Sequence, residues 1–112
     1  MSETIFSKII RREIPAEIVH ETENVLAFRD ISPQAPVHIL IIPKKPIKNL
    51  QALTEGDFPL LGEVVKVAQQ LAIEHNIEEG YRLLTNSGEE AGQSVFHLHF
   101  HLIGGRKLSI LG

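Results

Sequence analysis

The chain contains no cysteine, no tryptophan, one tyrosine and no excess of positive charge. Without cysteine there is no disulfide, no thiolate zinc site and no thiol nucleophile, which fits a reducing compartment. Eleven basic residues against fourteen acidic ones leave a formal charge of −3. Nothing therefore draws the chain to DNA or RNA, whose binders carry a basic face. No apolar run approaches membrane-spanning length, and MSETIFSKIIRRE lacks the apolar centre of a signal peptide, so a cytoplasmic protein with no membrane partner is expected. Repeats, low-complexity segments and linkers are missing as well, and the expectation is one domain over residues 1–112. The 43% apolar fraction is that of an ordinary globular core.

Periodicity gives the elements. Ile5, Phe6, Ile9 and Ile10 share one side of a short helix over 4–11, closed by Pro15. Residues 17–20 and 25–29 read as strands around a tight turn at 21–24, and the prolines of 32–36 make an irregular loop. The β-branched run 37–42 reads as a buried strand ended by Pro43. Residues 58–75 carry apolar positions at helical spacing, and 81–86 and 94–103 are the last strands, separated by the loop 87–93. The order suggests an α+β fold: a five-stranded antiparallel sheet with two helices.

Three of the six histidines fall on alternate positions of the apolar run HLHFHL: His97, His99 and His101. On a strand these share one face, and Phe96, Leu98, Phe100 and Leu102 share the other. A merely solvated face would be served as well by Thr, Lys or Glu, whereas histidine is the side chain suited to proton transfer and nucleophilic attack near neutral pH. A metal site is the rival. Same-face positions are roughly 6.6 Å apart, so three ligands in a straight line converge poorly on one ion unless His38 or His20 is added, and no metal is expected. A row of imidazoles better suits a substrate lying along it. Just upstream, NSGEEAGQS supplies amide and hydroxyl donors and glycines that let backbone N–H groups approach a ligand, enough to hold one phosphate without a basic patch.

HLHFHL also fits the H-φ-H-φ-H-φ-φ signature of the histidine triad family of nucleotide hydrolases and transferases. TIFSKIIRREIPA, FRDISPQAPVHILIIPKKPI, GYRLLTN and GQSVFHLHFHLIGGR resemble, in order and spacing, its nucleotide-binding Hint branch. The resemblance implies a hydrolase of purine nucleoside 5′-phosphoramidates (AMP or GMP joined to an amine), working without metal or cofactor. It also implies a homodimer whose two sheets join.

By that likeness His99 attacks phosphorus, its other ring nitrogen held by a backbone carbonyl, and His101 touches the phosphate oxygens. His97 and His38 are implied to be a buried pair supporting the face, and Ser94 to reach the leaving group. Asn86 and the backbone of Gly92, Gln93 and Ser94 are implied to hold the phosphoryl oxygens. Ile5, Phe6, Ile9, Phe28 and Ile31 match a slot for the purine, and Asp30 the carboxylate for the ribose hydroxyls. Taken without the resemblance, those apolar residues are core, Asp30 is a loop cap and His38 is a satisfied core histidine. His20 and His75 lie outside the pattern and are assigned to the surface.

Ala91 stands where close relatives often carry glycine, restricting that position to negative φ. The chain stops soon after GGRKLSI, where longer relatives reach the partner's active site, so the resemblance leaves the leaving group open. Two alternatives stand beside the phosphoramidase. One is a dinucleoside polyphosphate hydrolase or nucleotidyl transferase, less favoured by the Gly-Gln-Ser arrangement. The other is a non-enzymatic nucleotide-binding interaction protein, against which the intact His97, His99, His101 and Ser94 argue.

Overall fold

The computed structural model describes residues 3–110. Five strands, β1 (Ile18–Glu21), β2 (Val25–Arg29), β3 (Val37–Pro43), β4 (Tyr81–Leu84) and β5 (Phe100–Gly104), form one sheet in the order β1-β2-β3-β5-β4. Every pairing is antiparallel. Helix α1 (Ile5–Ile10) covers one face and α2 (Phe58–Glu74) the other. The expected α+β fold, with five antiparallel strands and two helices, is the one observed.

All seven residues of central strand β3 are buried, and strand alternation divides them between the two layers. Val37, Ile39 and Ile41 join Val64, Ala68 and Leu71 of α2 in the larger core. Leu40 and Ile42 join Phe6 and Ile9 of α1, with Leu26 and Phe28 of β2, in the smaller one. His38 and His101 fall on the α1 side, because His38 alternates with Leu40, and His101 is the cross-strand partner of Leu40. The site is thus built on the side with the shorter helix and the thinner cover.

Both helices stop through a left-handed residue. At α1, Arg12 takes φ 64° while its N–H reaches the Ile9 carbonyl and that of Glu13 reaches Lys8, so the helix closes before Pro15 rather than at it. Asn76 at φ 58° does the same for α2, with Ile77 N–H on Ala72. Thr4 and Ser7 exchange backbone-to-hydroxyl bonds at the start of α1.

The last strand corrects the sequence reading. Periodicity extends it from 94 to 103, yet the ladder starts only at Phe100, so of the three histidines His101 alone lies on a strand. Pro43 ends β3 with no N–H to offer, and its carbonyl is taken by the His97 ring. Leu98 N–H turns to the Ile47 carbonyl at 2.6 Å, and the His99 carbonyl receives the Thr85 hydroxyl at 2.6 Å. The same bond accounts for β4 ending at Leu84 instead of 86. Residues 94–99 are therefore pinned by individual hydrogen bonds, and Phe96 is exposed at the margin while Leu98 is in the core.

Asp57, buried at the entrance to α2, accepts from Lys45 Nζ (2.5 Å) and from the Thr54 N–H and hydroxyl (3.0 and 2.9 Å). These donors, Lys45 first, hold its carboxyl down to about 2. A depressed carboxylate contributes stability that is complete above the ordinary carboxylate range and disappears as pH falls towards 2. Asp57→Asn is expected to lower Tm at pH 7, with the gap to wild type closing between about pH 4 and 2. Thermal melts across that range check it; a gap independent of pH would refute the role given to the pair.

Candidate active site

His99 is nearly fully buried, and its Nδ1 lies 2.7 Å from the carbonyl oxygen of His97. A carbonyl only accepts, so Nδ1 carries the hydrogen and Nε2 is left with a lone pair. Phe6 stands edge-on to the His99 ring at 4.9 Å between centroids and reaches the His97 ring at 6.2 Å. Helix α1 thus closes over both imidazoles. His97 Nε2 is 2.8 Å from the Pro43 carbonyl, which fixes its hydrogen on Nε2 by the same logic.

A second chain of bonds orders His38 and His101. Gln34 N–H donates to His38 Nδ1 at 3.0 Å, so His38 carries its hydrogen on Nε2. That nitrogen is 2.9 Å from His101 Nδ1 and 3.4 Å from Asp30 Oδ2. His101 Nδ1 accepts, which leaves His101 with an Nε2–H donor. His38 is therefore joined to His101, and His97 to the main chain of β3; both are buried, and each supports the site through its own partner.

Burial pushes all four imidazoles below the usual histidine value. The effect is largest for His101, brought down to about 4 by burial and then by the neighbouring His99 and His38 rings, against the opposing pull of Asp30. At neutral pH the site presents an uncharged imidazole lone pair on His99 beside an uncharged N–H on His101. Such a pair has the chemistry to attack an electrophile and to donate a hydrogen bond beside it, with ring centroids 5.2 Å apart.

Both rings line a cavity of about 330 Å³ between α1 and the β2 end of the sheet. Its walls include Ile5, Phe6, Ile9, Phe28, Asp30, Ile31 and Ser94, so the sequence-derived apolar slot, its carboxylate and the serine meet in one place. Ile31 is 94% exposed and stands at the mouth. One oxygen of Asp30 is taken by Ser32 N–H at 2.7 Å, leaving the other between His38 and the cavity. Ser94 is exposed, and among the described residues neither its N–H nor its hydroxyl has an intramolecular partner.

The loop before the triad needs correction. Gln93 is buried, and its side chain accepts from Gly88 N–H and donates to the carbonyls of Lys48 and Val95. Its own N–H goes to Gly88, and that of Gly92 to Glu89. Gln93 and Gly92 therefore fasten the loop and have no donor left for a ligand. Asn86 is half-buried, with an amide that has no partner among the described residues, but it is outside the cavity wall. Positive φ falls on Gly88 (96°) and Gly92 (95°), while Ala91 sits in a single 3-10 turn, so the missing glycine costs nothing. His75, half-buried, bonds the Leu71 carbonyl and approaches Arg29, while His20 is half-buried too.

Several participants escaped the sequence reading. Ile14, Pro15, Ala16, Arg29, Leu40 and Val95 also line the cavity. Leu40 was reachable, being two positions from His38 on one strand. Thr85 and the carbonyl of Pro43 carried no signal, because they act on backbone or through it.

Asp30, His38 and His101 form one cluster among the described residues whose donor atoms lie within 4.8 Å, close enough in principle for a cation. The proton placement opposes it. To ligate through Nε2, His38 would have to move its hydrogen to Nδ1, directly against the Gln34 N–H.

Neutral, hydrogen-bonded histidines on β5 and on the segment before it face one small cavity, and along nearly its whole length the chain is similar to proteins of one family. The model of the HIT domain matches residues 11–108. An uncharacterized HIT-like protein of Synechocystis is 55% identical over 96% of this chain and 94% of its own. Among solved structures, a HIT family hydrolase from Legionella pneumophila superposes with a TM-score of 0.93 at 46% identity, over 96% of each chain. A histidine triad nucleotide-binding protein from Candida albicans gives 0.83 at 32%, over 98% of this chain and 84% of that one. The chain belongs to the HIT domain family. No helix among the described residues is long and apolar enough to cross a membrane.

Proton placement is open to direct measurement. Nitrogen-resolved NMR at pH 7 is expected to find Nδ1–H on His99 and Nε2–H on His38 and His97, with His101 titrating near about 4. Because the unfolded chain would take up protons on these rings first, stability should fall as pH drops below about 6.5. A His101 midpoint at or above the ordinary histidine value would overturn the assignment.

Proposed function

We propose that the protein is a metal-independent hydrolase of purine nucleoside 5′-phosphoramidates, AMP or GMP joined to an amine, of the Hint branch of its family. The observation that carries this reading is the His99 ring, protonated on Nδ1 by its bond to His97 and lining the cavity with a free Nε2.

The purine lies among Phe6, Ile9 and Phe28 with Ile31 at the rim, and Asp30 receives the ribose hydroxyls. Nε2 of His99 attacks phosphorus, the P–N bond to the amine breaks, and its electron pair leaves on the amine, which takes a proton from solvent water relayed through the Ser94 hydroxyl. His101 Nε2–H donates to a phosphoryl oxygen as charge gathers there, and the Ser94 N–H, on the cavity wall, is the nearest donor from the loop side, with the Asn86 amide beyond it. Water then attacks the nucleotidyl-imidazole, its oxygen bonding to phosphorus and its proton passing back to solvent, while the P–N bond to His99 breaks and the pair returns to Nε2. The products are the nucleoside monophosphate and the free amine. Replacing one displacement by two lets the imidazole, rather than water, meet the amine-bearing phosphorus.

His99→Ala is expected to lower turnover of an adenosine phosphoramidate by several orders of magnitude. AMP affinity should change by less than about tenfold, under roughly 1.4 kcal/mol. Quenched wild-type reactions should carry one acid-labile nucleotidyl group on the peptide spanning 95–106, mapped by mass spectrometry to His99, and a chelator should leave the rate unaltered. An adduct on His97 or His101, or a rate restored only by zinc, sinks the mechanism; faster turnover of diadenosine polyphosphates sinks the branch.

The assembly proposed with this activity is a C2 homodimer in which the two sheets join. Helix α2 leaves Phe58, Val65 and Ile73 exposed, and Tyr81 is exposed on β4, an edge strand. An apolar helix face beside an open edge is covered when both repeat across a two-fold. Sedimentation at micromolar concentration should give a dimer; a monomer there would end the proposal.

A further inference from the structure

The loop between β2 and β3 is held together locally: Ser32 N–H reaches Asp30 at 2.7 Å, and the Gln34 amide reaches the Ser32 carbonyl at 3.1 Å. Among the described residues, one hydrogen bond enters 31–36 from a distant part of the chain. Arg106, on the turn after β5, donates from Nη2 to the Gln34 carbonyl at 2.7 Å. Its Nη1 donates to the carbonyl of Lys107 at 2.9 Å, so one planar fork ties the turn to the loop. The turn is also pressed against the end of that loop. Gly105 has φ 96°, and a Cβ there would lie 2.9 Å from Cβ of Pro36, so glycine allows the approach that brings Arg106 to Gln34.

Gln34 stands at the head of a chain of bonds that ends in the site. Its N–H occupies Nδ1 of His38, His38 Nε2–H donates to His101 Nδ1, and His101 keeps its hydrogen on Nε2. Between two neutral imidazoles the bond can run either way, since each ring carries one hydrogen and one lone pair. Reversed, His38 would carry its hydrogen on Nδ1, and His101 would turn a lone pair towards the phosphoryl oxygens. The sense is decided at the His38 end, by the Gln34 N–H and by Asp30, whose Oδ2 is 3.4 Å from Nε2. We propose that Arg106 is a positioning residue: by holding the Gln34 main chain against His38, it keeps His101 a hydrogen-bond donor. Its effect on turnover rests on the phosphoramidase reading; its effect on the His38 proton does not. Arg106 is exposed and outside the cavity wall, so it acts only through these successive bonds.

Two variants remove the fork, Arg106→Met keeping an apolar stem and Arg106→Ala removing it. Arg82→Met is the control: Arg82 holds the same terminal segment at the Ser109 carbonyl (2.7 Å) but bonds neither Gln34 nor His38. Nitrogen-resolved NMR of the unliganded protein at pH 7 reads the His38 proton. Both Arg106 variants are expected to replace the single Nε2–H form by a mixture with Nδ1–H, and Arg82→Met to leave it unchanged. With an adenosine phosphoramidate, kcat of the Arg106 variants should fall about tenfold, the net contribution of roughly one hydrogen bond, while Kd for AMP changes less than about threefold. A single His38 tautomer retained in either Arg106 variant overturns the proposal, whatever the rate does. The same mixture in Arg82→Met overturns it too, as does a changed tautomer with unchanged kcat. Should the wild type turn over no phosphoramidate, the phosphoramidase reading fails, and the His38 tautomer alone decides the role of Arg106.

Discussion

The hydrogen bond from His99 Nδ1 to the carbonyl of His97 sets the direction in which every other part of the site must work. It spans only two residues, so it forms only if the main chain between them is extended and turned to bring carbonyl and ring together. That geometry is held from outside. Thr85 fixes the His99 carbonyl, Ile47 the Leu98 N–H, and the His97 ring grips the end of β3 at Pro43. Phe6 then lies against both rings and withholds water. The proton on His99 is thus placed by backbone, and burial keeps the ring from acquiring a second one.

These supports explain why residues 94–99 leave the ladder. A regular strand would satisfy its N–H and C=O groups from its two neighbours, and its side chains would be positioned only by the pleat. Here the same backbone groups are met singly by a carbonyl beyond β3 and a hydroxyl beyond β4. The exchange keeps buried polar groups paired, as they must be, and gives two of the histidines individual settings. His101, further along, stays in the ladder and takes its setting from His38 instead.

The element order, the α+β class and the two layers were legible because side-chain periodicity reports which way residues point, and burial follows direction. Leu40 and Ile42 against α1, and Ile39 and Ile41 against α2, are the alternation of a buried strand written plainly. Periodicity is silent on hydrogen bonds. HLHFHL alternates identically inside and outside the ladder, so it reports neither that the ladder begins only at Phe100 nor which groups His38 and His97 bond. Gln93 misled for a related reason: an amide in a glycine-rich loop has the same composition whether it faces a ligand or clasps the loop. The members of the apolar slot were found by resemblance, and composition alone would have left Phe6 and Phe28 in the core, where each is in fact also buried.

The electrostatic character of the site follows from the same economy of charge. Among the described residues the cavity is walled by no lysine, and the one arginine there, Arg29, is paired with Glu17 at 2.7 Å. Four imidazoles that would each repel the others if charged are instead packed close, His99 and His101 at 5.2 Å and His38 and His101 at 5.2 Å, because burial has made them neutral. A phosphate entering this environment would meet oriented N–H donors and a lone pair, not a counter-charge. Such donors gain most where charge develops during reaction, since they need no reorganisation and sit in a medium of low polarity. A permanent cation would stabilise the bound nucleotide and its transition state more nearly alike, and uniform binding of that kind does not raise turnover. On the proposed reaction, then, a cavity wall whose one arginine is already paired leaves stabilisation to the oriented histidines, which act where charge develops on phosphorus.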